Sequence, residues 1–81
     1  MNMLDFDTAL AATGFDVLTS SRRYNGVCQA KVRALGKTID VRHYDSRWEG
    51  PGWHALGEGE HAEMVKGRAP KAVITAAARA S

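Results

Sequence analysis

Two stretches of helical spacing bracket a long run in which apolar and polar residues alternate. In the first, LDFDTALAATG, residues Phe6, Ala9, Leu10 and Thr13 fall on one side of a helix. Asp5 or Asp7 can cap it, acidic residues suit its positive N-terminal end, and Gly14 is a natural stop. From Phe15 to Tyr44 the period shortens to two, the mark of half-buried strands. Asn25-Gly26 is the strongest short turn signal and predicts a type I′ hairpin pairing Tyr24 with Val27, Arg22 with Gln29, Ser20 with Lys31 and Thr19 with Val32. That register sets Phe15, Val17 and Thr19 on one face with Cys28, Ala30, Val32 and Ala34. Gly36-Lys37 reads as a second two-residue turn, of type II′, which brings Ile39 and Val41 to the same face.

The chain then becomes glycine-rich. SRWEGPGWHALGEGE, with Pro51 between two glycines, reads as a long connection, and GEHAEMVKG as a short helical turn ending at Gly67. PKAVITAAARA is the second helix, with Pro70 at its first position, Arg79 in its last turn, and Val73, Ile74 and Ala77 on its apolar side. The expected fold is α+β over residues 1–81: helix, three-stranded antiparallel meander, loop, helix. Its two layers put both helices on the one apolar sheet face.

Composition alters this picture little. The chain has 81 residues, 44% of them apolar and 25% charged, with a net charge of +2, which fits one small globular domain. The single Cys28 allows no internal disulfide and fits a cytoplasmic setting. No apolar run approaches the roughly 20 residues of a membrane span. The opening MNMLDFD has neither the basic region nor the apolar region of a signal peptide.

The polar face of the meander carries the candidate chemistry. It presents Arg22, Lys31, Arg33, Arg42 and Tyr44, and in the expected register Lys31 stands opposite Arg42. Like charges directly opposite are destabilising, so the face is either simply solvated or a platform for carboxylates and phosphates. Trp48 and Trp53 either cap a thin alanine-lined core or anchor an interface. Trp53 is expected inside, and Trp48, beside Arg47, is the better anchor. His43, His54 and His61 lack metal-ligand spacing, Cys28 reads as a small core residue, and no nucleophile–base set stands out, so neither a metal, a cofactor nor an enzymatic reaction is expected.

Two resemblances follow from these residues. The order helix, three strands, helix is similar to the double-stranded RNA-binding domain, with Arg68 and Lys71 loosely matching that family's basic second helix. This resemblance implies nucleic-acid binding. The stretch YNGVCQAKVRALGKTIDVRHYDS resembles the paired strands of small phage-borne anti-CRISPR proteins that act on type I surveillance complexes: a turn, a basic strand, a glycine-lysine turn, and a strand ending in aromatic-Asp-Ser. That second resemblance implies a non-enzymatic inhibitor that binds a subunit of such a ribonucleoprotein and blocks its docking on target DNA. Its contacts would come from Arg22, Lys31, Arg33, Arg42, Tyr44, Arg47 and Trp48.

Overall fold

The computed structural model describes residues 1–23, 25–45 and 52–81. Along them run α1 (Met3–Ala12), β1 (Asp16–Arg22), β2 (Cys28–Ala34), β3 (Lys37–Tyr44), β4 (Gly52–Leu56), β5 (Val65–Gly67) and α2 (Pro70–Arg79). The strands form one antiparallel sheet in chain order, and both helices cover the same face of it. The α+β class, with a helix at each end of the strands, is the one the sequence pattern implies.

The sheet has five strands rather than three. The segment GWHAL alternates like any half-buried strand: Trp53 and Ala55 face the core and His54 the opposite side. Neighbouring glycine and proline hide that signal in the sequence. The GEHAEMVKG stretch is not a helical turn. Gly59 adopts φ +105°, a left-handed conformation open to glycine, and the chain then returns as β5 to pair Ala55 with Val65 and Trp53 with Gly67. Gly67 also lets α2 approach, since a Cβ there would lie 2.8 Å from Cγ1 of Val73.

The core lies between the two helices and the inner face of the sheet. Phe6 and Leu10 of α1, with Val73, Ile74, Ala77 and Ala78 of α2, pack on Ala30, Val32, Ile39, Val41, Trp53 and Ala55. Trp53 is 4% exposed and stacks on Phe6 with ring centroids 5.2 Å apart. Asn2, rather than Asp5 or Asp7, caps α1: its Oδ1 accepts from the Asp5 N–H at 2.8 Å.

The strand registers differ from those the turns imply, for two local reasons. The first hairpin closes with the Arg23 N–H donating to the Val27 carbonyl and the Gly26 N–H to the Arg23 carbonyl, each at 2.9 Å. Gly26 at φ +86° completes a three-residue connection, longer by one than the expected Asn-Gly turn. Arg22 therefore pairs with Cys28, Ser20 with Ala30 and Thr19 with Lys31. A bulge at Leu18 then restores the expected face for Val17, which pairs with Val32. Thr19 lies on the polar face, not the apolar one. The second turn is Leu35-Gly36, with φ +53° and +78°, a type I′ geometry in place of the expected Gly36-Lys37 type II′. This moves β3 by two residues, so every side chain keeps its face while its partner changes.

Candidate functional site: the outer face of the sheet

The two-residue shift between β2 and β3 dissolves the like-charge pair. Lys31 stands opposite Asp40, and Arg42 opposite Gln29. The carboxylate of Asp40 lies between both cations, 3.8 Å from Lys31 Nζ and 3.6 Å from Arg42 Nε. Arg42 Nη1 also donates to the Tyr44 hydroxyl at 3.4 Å, and the Tyr44 ring leans on His54 at 4.5 Å. The bond to Tyr44, reinforced by the Asp40 charge, holds Arg42 above the ordinary arginine value despite partial burial. The guanidinium is thus a fixed charge, about one-third exposed and oriented by two neighbours.

Asp40 and Arg42 form a ridge with a hollow on each side. Towards β1 lies a polar groove of about 350 Å³ lined by Thr19, Ser21, Arg23, Gln29 and Lys31 together with the ridge. Gln29 Nε2 reaches the Ser21 hydroxyl across its floor at 3.4 Å. Towards β4 lies a smaller hollow of about 150 Å³, formed with His54, Leu56 and Met64. Three cations and one carboxylate border the polar groove, whereas Leu56 and the exposed Met64 give the other hollow an apolar wall.

The expected site residues divide accordingly. Lys31, Arg42 and Tyr44 come together on this face. Arg22 does not: paired with buried Cys28, it belongs to the other side of β1, and Arg23 takes the place expected of it. Arg33 sits between Asp16 and Thr38 and donates Nη2 to the Gly36 carbonyl at 3.2 Å, bracing the turn rather than facing the groove. Arg47 and Trp48 lie outside the described residues, as does Tyr24. Sequence reasoning missed Arg23, Thr19 and Ser21 because the longer connection reverses their faces. It missed His54 because the residue reads as part of a loop.

The remaining titratable residues lie elsewhere. On the inner face Cys28 pairs with His43; burial pushes the Cys28 thiol up and His43 down, which leaves the first protonated and the second neutral near pH 7. His43 meets the Trp53 ring edge-on at 5.1 Å and lies 3.4 Å from Asp45. Asp45 is held below the usual carboxylate range by the terminal ammonium of Met1. Glu58 accepts from the Thr38 N–H at 3.2 Å. Among the described residues, no three His, Cys, Asp or Glu side chains gather as a metal site, and no helix is long and apolar enough to cross a membrane.

Comparison with protein-family models finds no match, and comparison with curated proteins and with solved structures finds none either.

Proposed function

We propose that this protein is a non-enzymatic inhibitor that binds a larger assembly through the outer face of its sheet. What carries the reading is the ridge of Asp40 and Arg42, with a cationic groove on one side and an apolar hollow on the other. An arginine already oriented by Tyr44 and Asp40 loses little freedom when it meets a partner carboxylate, which is how arginine becomes an interface anchor. The adjacent Leu56 and Met64 favour a protein surface, with acidic side chains beside an apolar one, over bare phosphate.

The resemblance of the β2–β3 hairpin to anti-CRISPR proteins gives the partner: a protein subunit of a type I surveillance complex, at the place where target DNA docks. Inhibition there is steric. Lys31 and Arg42 engage acidic side chains, and the body of the domain excludes the duplex.

The test uses a purified type I complex and a labelled target duplex. The wild-type protein should abolish the shift of the duplex, and the complex should retain the protein after nuclease treatment. Arg42→Ala, still folded though melting a few degrees lower for want of its pair with Asp40, should weaken inhibition by roughly tenfold or more. The alternative, a nucleic-acid-binding domain, draws on the cations Arg23, Lys31 and Arg42 along the groove. It requires direct binding to duplex RNA, falling steeply with salt. Five strands between the helices depart from the three that the resemblance to the double-stranded RNA-binding domain implies.

A further inference from the structure

Strand β1 is one edge of the sheet, and all seven of its residues are exposed. Val17 and Leu18, at 39% and 51%, are among the large apolar residues left in water. An edge strand offers a row of backbone donors and acceptors, and proteins blunt such edges with charged side chains, proline, bulges, shortness or a cover. The sequence DVLTSSR carries neither lysine nor proline, its charges Asp16 and Arg22 stand at its two ends, and among the described residues all seven of its positions are exposed. The Leu18 bulge is its one irregularity, and it restricts which register a neighbouring strand can adopt.

The faces along β1 limit that register, and its charges choose within the limit. Asp16 pairs with Arg33, and Thr19, Ser21 and Arg23 line the polar groove, so these four share the outer face. Val17 pairs with Val32 and Arg22 with Cys28, so those two share the inner face. Residues directly opposite in an antiparallel pair must lie on the same face. If a second β1 runs antiparallel beside the first, this rule admits several registers; in the one centred on Ser20, Thr19 stands opposite Ser21 and, past the bulge, Asp16 stands opposite Arg23. The strand is thereby complementary to itself: each end presents an acid to a base, and the centre is small and polar.

We propose that the chain self-associates through antiparallel pairing of β1 with β1 of a second copy, about a two-fold axis at Ser20. That axis stands perpendicular to the sheet, so the two five-stranded sheets join into one and both outer faces point the same way. The two polar grooves then flank the seam. A ladder of this length falls short of the roughly 1,200 Å² buried in stable interfaces, so the dimer forms and dissociates with concentration. It does not depend on the inhibitory role proposed above, and its test needs only the protein itself.

Light scattering across a concentration series should show the mass rising from 8.8 kDa towards twice that value. Asp16→Arg sets like charges opposite each other at both ends of the seam and should weaken dimerisation by about tenfold. The double variant Asp16→Arg/Arg23→Asp should restore it. Under mild oxidation Ser20→Cys should cross-link between copies, whereas Ser21→Cys, off the axis, should cross-link much less; Cys28 is buried and serves as the silent background. Each variant's melting temperature shows that it is folded. A wild-type protein that stays monomeric at millimolar concentration, or equal cross-linking from positions 20 and 21, would overturn the proposal.

Discussion

Asp40→Asn separates the two roles of the carboxylate on the outer face. In the folded protein Asp40 is 28% exposed and lies 3.6 Å from Arg42 and 3.8 Å from Lys31. Partly exposed ion pairs at such distances contribute about 0–1 kcal/mol each, so losing both costs about 1 kcal/mol. For a domain of this size that corresponds to a melting temperature lower by about 4–8 °C. The same change removes a negative charge from the edge of the groove. A partner carboxylate docked on Arg42 about 5 Å from Asp40 feels a repulsion of about 0.8 kcal/mol in water, so removing it tightens binding by about fourfold. Stability and affinity therefore move in opposite directions, and the affinity gain should shrink at high salt. Thermal unfolding, with titration of a labelled acidic peptide or of the surveillance complex at two salt concentrations, measures both. Lost binding would mean that Asp40 itself contacts the partner. Unchanged stability together with unchanged binding would mean that the ridge has no electrostatic role.

Three further outcomes test the rest of the structure. Leu35 is held at φ +53° in a two-residue turn and is 59% exposed, so Leu35→Asn should relieve about 1 kcal/mol of strain and raise the melting temperature; a lower value would remove the type I′ assignment. Phe6→Ala should cost about 3–5 kcal/mol, and loss of the stacked ring should shift the Trp53 emission to the red; an emission left in place would show that the stack does not shield Trp53. Burial sets the folded His43 pKa below its ordinary 6.5, so on acidification the unfolded chain takes up the proton first and stability falls from about pH 6.5 downward. His43→Gln should flatten the melting temperature between pH 6.5 and 5, leaving the separate loss below pH 3.8 that follows from the lowered Asp45; a wild-type slope that survives the substitution would exclude His43 as its source.

What was legible in the sequence depended on whether a signal survives a change of register. Period-two alternation in QAKVRALGKTIDVR assigns faces, and a two-residue slip preserves them. Lys31, Asp40 and Arg42 can therefore be placed together on the outer face although the turn signals imply the wrong partner for Lys31. The helices were legible because Pro70, Gly14 and the spacing of Phe6 with Leu10 act locally. Strand β1 was not, because two one-residue irregularities act on it. The three-residue connection moves Arg22 to the inner side, and the Leu18 bulge moves Val17 back to the face its alternation implies. Neither leaves a compositional mark: Asn25-Gly26 serves a two-residue or a three-residue connection, and a bulge needs only one extra residue of any kind. β4 was obscured for a different reason. Gly52 takes φ +138°, and a Cβ there would lie 2.9 Å from the Gly67 carbonyl, so the glycine that reads as a loop residue is what allows β5 to pair. Each irregularity falls where the outer face takes its shape. Without the longer connection Arg23 would leave the groove, and without Gly52 the strand that carries His54 and Leu56 would lose its neighbour.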